Sequence, residues 1–424
     1  MINIPDTDKK RIVIAGCGFG GLTLAKKLKN SDYQVVIIDK HNYHQFPPLF
    51  YQVASAGLEP SSILFPLRKI FQDYKDYHIR KAEITGVVPE NSIINTTAGE
   101  LRYDYLVLAH GATNSFFGSD EMRRCSNPMK TIAEALNLRN TLLMNFEKAL
   151  TSNDEAERAK NLSIVIIGGG PSGVEIAGAL AEMDKYILRK DYPDLEGRGA
   201  KIYLLEGNNR LLNMMSEKSS SKARQFLEKL GVKVFTDTLA KGCTEDKVFL
   251  ADGETLSAGM IIWTAGITGN SIPGIREECF QRNNRLITDR QCLVKGYRNI
   301  FAIGDIAYMT EEKYPRGHPQ VAPVAIQQAR FLADHLKRIK TGKQVKEFRY
   351  FDKGTMATVG RNLAVVELPF MRFQGFFGWL VWMFVHLMSI VGVKNRLMIF
   401  INWAWNYLTY DQSTRLILRP KGCS

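Results

Sequence analysis

Two stretches of this chain, "RIVIAGCGFGG" at 11–21 and "SIVIIGGGPSGVE" at 163–175, repeat one device about 150 residues apart. In each, an apolar, β-branched run ends in Gly-x-Gly-x-x-Gly: Gly16, Gly18 and Gly21 in the first, Gly168, Gly170 and Gly173 in the second. Such a run predicts a strand, a tight turn and the start of a helix. The glycines permit the turn, let a pyrophosphate approach the backbone, and let helix and strand pack closely. The helix start then offers unpaired N–H groups and the positive end of its dipole to an anion. No other feature constrains the fold as strongly, because repeated strand, loop and helix units require parallel sheets joined by crossover helices.

The order of elements extends this reading. After the first loop come a helix, "LTLAKKLKN", and a strand, "YQVVIID", ending at Asp39. "LRYDYLVLAHGAT", 101–113, reads as one buried strand leaving into a glycine turn. A helical stretch over 131–160 leads to the second loop, and "KIYLLE" ends at Glu206. That acid lies further from its loop than the usual spacing of about 20 residues, so 183–200 are predicted to form an extended helix and connection. "LGVKVF", "IIWTAGI" and "NIFAIGDIA" follow, each an apolar run stopped by glycine or turn residues. The expectation is an α/β chain with two Rossmann-like dinucleotide-binding domains.

Asp39 and Glu206 stand where a carboxylate accepts bonds from ribose hydroxyls. An acid there favours a free 2′-hydroxyl over a 2′-phosphate, and Arg210 nearby softens that preference. Gly304-Asp305, in "FAIGD", can set a carboxylate beside a ribityl hydroxyl. After two glycine loops it marks a flavoprotein whose FAD domain is interrupted by an NAD domain.

A chain of 424 residues has room for two or three such domains. Its formal charge of +13 would suit anionic cofactors or an anionic surface, but no basic run with interleaved aromatics supports nucleic acid. Six scattered cysteines, at 17, 125, 243, 279, 292 and 423, give no Cys-x-x-Cys and no metal spacing, so no metal, zinc site or redox dithiol is expected. "MINIPDTDKK" lacks the apolar region of a signal peptide, which places the chain on the cytosolic side.

The pair of loops, "WTAG" at 263–266 and Gly304-Asp305 resemble the two-dinucleotide-binding flavoproteins. "HNYHQFPPLFYQVASAGLEPSSI", "GGGPSGVE", "RLLNMMSEKSSSKARQFLEKLGV" and "NRLMIFINWAWNYLTYDQSTRLI" resemble, more narrowly, the type II NADH:quinone oxidoreductases over nearly the whole chain. The resemblance implies that one loop holds FAD and the other docks NADH, with two electrons passing on to a membrane quinone, ubiquinone or menaquinone, without proton pumping. FAD contacts are implied for Gly16, Gly18, Gly20, Gly21, Asp39, Lys40, Ala112, Thr113, Gly304 and Asp305. NADH contacts are implied for Gly168, Gly170, Pro171, Ser172, Gly173, Glu206, Ala265 and Gly266. Pro47 and Pro48, with Phe46 and Leu49, resemble the segment near the flavin ring and the quinone approach. Glu175 matches a glutamate placed at the nicotinamide and flavin contact, with a part in proton handling.

"VAPVAIQQA", 321–329, corresponds to a flavin-contacting helix start, through Ala322, Pro323 and Val324. Pro323 stands where the family carries a glutamine assigned to quinone, so Gln327 is expected to supply that amide, with Gln320 and Gln328 as alternatives.

The tail differs in kind. "GFFGWLVWMFVHLMSIVGV", 375–393, carries no Asp, Glu, Lys or Arg, and "LMIFINWAWNYLTY" follows it. The run is long enough to span a membrane, but its glycines and His386, and the four tryptophans of the whole tail, fit two helices lying in a headgroup region better, with Arg372, Lys394 and Arg396 on phosphates. His386 is expected to be packed and hydrogen-bonded. The domains expected are FAD-binding over 1–125 and 290–345, NADH-binding over 160–280 and membrane-associating over 346–424. The partners expected are NADH, a quinone and a lipid bilayer surface, peripheral on the cytoplasmic side of the inner membrane, with a homodimer left open. A sulfide:quinone oxidoreductase and an NADH-sensing flavoprotein remain the alternatives.

Overall fold

The computed structural model describes residues 2–195, 198–281, 283–344, 346–409 and 414–418, so 410–413 and 419–424 of the expected C-terminal segment lie outside the described residues. Contacts gather the chain into two compact units. The first comprises Met1–Gln45, Leu64–Thr113 and Ile267–Asp352, and the second Phe46–Ile63, Asn114–Gly266 and Lys353–Ser424.

The first unit is built on a five-stranded sheet in the order Ile300–Ala302, Tyr105–Leu108, Arg11–Ala15, Gln34–Asp39, Tyr77–Lys81, parallel throughout. Val13, Ile14, Val36 and Ile37 are fully buried. Continuous apolar runs of this kind are what a sheet covered on both faces demands. Helices Phe19–Lys27 and Ala322–Lys340 pack together, and the Tyr33 hydroxyl donates to the Leu336 carbonyl at 2.8 Å. A meander of Ile84–Val88, Ile93–Thr96 and Gly99–Arg102 adds Val87, Ile94 and Leu101 to the core that holds Val13 and Val36.

The stretch 101–113 corrects the reading of one buried strand. Gly99–Arg102 belongs to the meander and Tyr105–Leu108 to the central sheet. The break falls at Asp104, whose carboxylate accepts the Arg11 N–H at 2.7 Å at the start of the central strand. An apolar pattern alone does not tell one strand from two that turn at a single acid.

The second unit repeats the plan. Its five-stranded parallel sheet runs Asn127–Pro128, Met260–Trp263, Ser163–Ile167, Lys201–Leu205, Lys233–Phe235. A second meander, Ala240–Cys243, Lys247–Leu250 and Thr255–Ser257, brings Val248 and Leu250 against Val165, Leu205 and Ile261. Thr131 and Glu134 form a reciprocal capping box that starts the long helix Ile132–Thr151. Helix Pro171–Met183 runs on through a π turn, Asp184–Leu188, as the late position of Glu206 requires.

The same unit carries a three-stranded sheet, Thr355–Gly360, Leu363–Glu367 and Arg372–Gln374, and two helices, Gly375–Ser389 and Val393–Thr409. Helix Pro171–Met183 lies on strand Thr355–Gly360 so closely that a Cβ on Gly178 would meet the Val359 carbonyl oxygen at 1.5 Å. The segment 46–63 packs in this unit: helix Phe50–Ala54 lies against Ile132–Thr151 and Pro171–Met183. The tail helices bond to the segment, with the Trp403 indole donating to Gln52 at 2.9 Å, the Asn406 amide to the Gly57 carbonyl at 3.1 Å and the Asn395 amide to that of Ser62 at 3.0 Å. Trp382 is buried, yet Phe377, Phe384, Trp405 and Leu408 are 68, 65, 57 and 78% exposed. Among the described residues no helix is long and apolar enough to cross a membrane.

Candidate functional site

The two glycine loops are superposable in their chemistry. Gly16 and Gly168 both have positive φ, +97° and +113°, and both are pinned by a neighbouring loop: an added Cβ would lie 2.7 Å from the Ala109 carbonyl in one and from the Ala265 nitrogen in the other. Gly21 and Gly173 face the carbonyls of Gly16 and Gly168 at a distance no side chain fits. The middle glycines behave oppositely. A Cβ on Gly18 or Gly170 meets nothing within 4 Å. Each of these is the N-cap of its helix and makes no side-chain cap bond. The result in each unit is an open cradle over a helix start that no side chain caps, which fits a pyrophosphate.

The acids that close the two units also match. Asp39 accepts the Cys17 N–H at 2.6 Å and the His41 N–H at 2.7 Å. Glu206 accepts the Gly169 N–H at 2.6 Å and the Asn208 N–H at 2.9 Å. In both loops the carboxylate therefore binds the residue between the first two glycines. Burial raises the Asp39 carboxyl, opposed by its two backbone donors.

In the first unit Gly20 faces Ile303, and Gly304, at φ +76°, faces Ala325 at 3.2 Å from its added Cβ. The start of helix Ala322–Lys340, with Pro323 in its first turn and no side-chain cap, thus stands beside the first loop. Ala322, Pro323 and Val324 form that start. Asp305 is half-buried, and its carbonyl takes the Gln320 amide at 2.9 Å. The Gly304 N–H donates to fully buried Gln328 at 2.7 Å. Lys40 and Thr113 are exposed and Ala112 is half-buried. Gln327 has both amide atoms on one backbone: its Nε2 donates to the Phe351 carbonyl at 2.8 Å and its Oε1 accepts the Phe351 N–H at 3.0 Å.

In the second unit a cavity of about 220 Å³ is lined by Gly168, Gly170, Pro171, Glu206, Thr264 and Ala265. The Thr264 hydroxyl donates toward the carbonyls of Ile167 and Gly168, at 3.0 and 2.9 Å, which fixes this wall. Ser172 is exposed in the first helical turn, and Gly266 lies under the Phe117 ring. Pro47 and Pro48 form a 3₁₀ turn leading into helix Phe50–Ala54, with Phe46 and Leu49 buried and the Phe46 ring edge-on to His386 at 6.4 Å. His386 is packed and bonded as expected: its Nδ1 sits 2.8 Å from the Trp382 carbonyl, its ring stacks on Trp382 at 4.1 Å, and burial lowers it to about 4.

A second cavity of this unit, about 140 Å³, contains Glu175. Burial pushes its carboxyl up to about 8, while the Thr358 backbone and the Trp382 indole favour the charged form. Part of the residue's surface is open to the cavity, but the carboxyl is enclosed. Glu182 and Arg361 line the same space and were not singled out from sequence. The available signal was spacing: 175 and 182 are two helical turns apart and share a face.

Residues 10–329 match the pyridine nucleotide-disulphide oxidoreductase family, and 353–410 match the NDH2 C-terminal domain. The type II NADH:quinone oxidoreductase Ndh of Mycobacterium tuberculosis is 31% identical over 416 residues, covering 95% of this chain and 89% of that protein. NDH2 from Plasmodium falciparum, solved in complex with NADH, has the same fold with a TM-score of 0.88 at 21% identity, over 97% of this chain and 100% of that one. The sulfide:quinone oxidoreductase of Aquifex aeolicus is a more distant fold relative, with a TM-score of 0.71 at 18% identity over 97% and 96%.

Proposed function

The chain belongs to the type II NADH:quinone oxidoreductases, and from that premise we propose how its residues divide the work. The enzyme oxidises NADH and reduces a quinone, and bound FAD supplies the two-electron chemistry that no side chain offers. The proposal assigns FAD to residues 1–125 and 290–345, NADH to 160–280 and membrane association to 346–424.

The observation that carries the assignment is the duplicated cradle, in which Gly18 and Gly170 open over uncapped helices while Asp39 and Glu206 hold the loops by matching bonds. In the first unit the start of the helix at Phe19 turns the positive end of its dipole to phosphate, the start of helix Ala322–Lys340 stands beside the same loop, and Gly304-Asp305 faces the ribityl side. In the second, Gly170, Pro171 and Ser172 cradle the NADH pyrophosphate, and Glu206 turns away a 2′-phosphate by like charge. Ala265 and Gly266 bound the groove without side-chain bulk. Glu175 holds a proton at its carboxyl near neutral pH, which suits it to proton handling during quinone reduction. Pro47 and Pro48 shape the approach of the quinone ring. Gln327 reaches a quinone only by releasing Phe351, so its part is to position that residue.

For location, the reading is a peripheral protein on the cytoplasmic face of the inner membrane. The exposed apolar side chains of the two tail helices support a lipid surface as partner, with Arg372, Lys394 and Arg396 toward phosphate. A second copy on the same face would instead appear as a detergent-sensitive dimer in sedimentation.

Anaerobic stopped-flow absorbance tests the whole. Mixing with NADH is expected to bleach the flavin rapidly, mixing with NADPH slowly, and a water-soluble quinone is expected to restore the oxidised spectrum. Bleaching by sulfide, or a flavin that NADH reduces and quinone does not reoxidise, would overturn the assignment.

A further inference from the structure

The Glu175 cavity holds a second carboxylate that no step above uses. Glu175, Ala179 and Glu182 form one stripe of helix Pro171–Met183, all lining the same space. Seven residues of helix set the two acids about 10 Å apart along the axis, too far for direct transfer of a proton. The small Ala179 between them leaves that distance open. A cavity of about 140 Å³ has room for several waters, since each needs only about 10–15 Å³ of such space and a few polar partners. The partners are present: Tyr51 beside Glu175, and Tyr186, Tyr407 and Arg361 around Glu182.

The two acids differ in surroundings. Glu182 accepts the Arg361 N–H at 2.6 Å, and the charges of Arg361 and Lys185 bear on it. Lys185 is exposed, so this end of the stripe adjoins solvent. The Arg361 guanidinium lies over the Tyr407 ring at 3.9 Å, which fixes the wall beside Glu182. Glu175 has no cation among the groups that shift it, only a backbone N–H and an indole.

We propose that Glu182 is the solvent-side half of a two-carboxylate proton path, passing protons through cavity waters to Glu175. The reaction sets the demand. NADH, a quinone and one proton give NAD⁺ and the quinol, so one proton enters from solvent per turnover. In the path, the Glu182 O–H bond breaks as a cavity water takes its proton, and the far water of the chain protonates the Glu175 carboxylate. The Glu182 carboxylate refills from bulk water. Burial raises both acids, so each can hold a proton close to neutral pH, as two members of one path must. The proposal rests on the proton-handling role given to Glu175.

The test compares the full-length holoenzyme with its E182Q, E182D, E175Q and E175Q/E182Q variants. Reoxidation of the reduced flavin by a water-soluble quinone is followed from pH 6 to 9, in H₂O and D₂O. E182Q is expected to slow reoxidation about 10-fold above pH 7, to lose the inflection near pH 7, and to recover with added formate. Flavin reduction by NADH and the quinone KM stay unchanged, and E182D restores most of the rate. The double variant is expected to be no slower than E175Q, because two members of one path do not add. Infrared titration gives an independent readout: the protonated-carboxyl band that titrates near pH 7 disappears in E182Q.

A native E182Q rate with a slow E175Q variant would overturn the path and leave the Glu175 role standing. A native E175Q rate would overturn both. Slowing of E182Q that is the same at every pH, unrescued by formate and absent from E182D would mark a structural role and also refute the path.

Discussion

Replacing Glu175 by glutamine removes a buried titratable carboxyl while keeping the side chain's shape, and its effect on stability follows from the titration. In the unfolded chain a glutamate titrates near 4.3; in the fold, burial pushes Glu175 up to about 8. The folded state therefore holds the proton more tightly. The stabilisation this gives is complete below the unfolded value and is lost as pH rises toward the folded one. Between pH 5 and pH 8 the loss is at most about 4 kcal/mol, at about 1.36 kcal/mol per pH unit. Water reaching the cavity screens the charge and brings this to about 2 kcal/mol. Glutamine has no such dependence. The melting temperature of E175Q minus that of the native chain is thus expected to rise by about 4–8 °C between pH 5 and pH 9. Tryptophan fluorescence is the assay, since Trp263, Trp379, Trp382, Trp403 and Trp405 all belong to the second unit and report its unfolding. A difference that stays constant across this range would refute the reasoning, for it would mean that Glu175 carries no buried charge at high pH.

Gly170→Glu is expected to abolish bleaching by NADH with FAD content and melting temperature unchanged, because the new side chain fills open space in the cradle and repels pyrophosphate. Gly173→Ala, pressed onto the Gly168 carbonyl, should instead lower the melting temperature, and thermal melts of the two variants separate the effects. Acidic residues at Phe377, Phe384 and Leu408 together should cut co-sedimentation with anionic phospholipid vesicles at least 10-fold, without changing reduction by NADH; undiminished binding would remove these helices from the lipid contact. Gln327→Ala should cost no more than about 1 kcal/mol, because water replaces its two exposed bonds to Phe351, while leaving the quinone KM unchanged, and a raised KM would return Gln327 to the quinone.

Local chemistry made the two βαβ units legible in the sequence. A glycine with positive φ and a glycine under a carbonyl are needed at fixed spacing, and an acid at the end of the next strand, so Gly16 to Asp39 and Gly168 to Glu206 could be read without knowing what packs on them. The tail's apolar character was legible for the same reason, since a run without charge has to find cover. Tertiary packing decided what those signals could not. It divided 101–113 between two sheets at Asp104. It grouped 46–63 with the tail helices through Trp403 and Gln52, more than 300 residues apart in sequence. It committed Gln327 to Phe351, and it placed Glu182 and Arg361, from separate parts of the sequence, on the cavity that contains Glu175. Hydrogen bonds and buried space between distant segments depend on where the backbone returns. A sequence pattern records only which face a residue takes, and the fold alone supplies what that face meets.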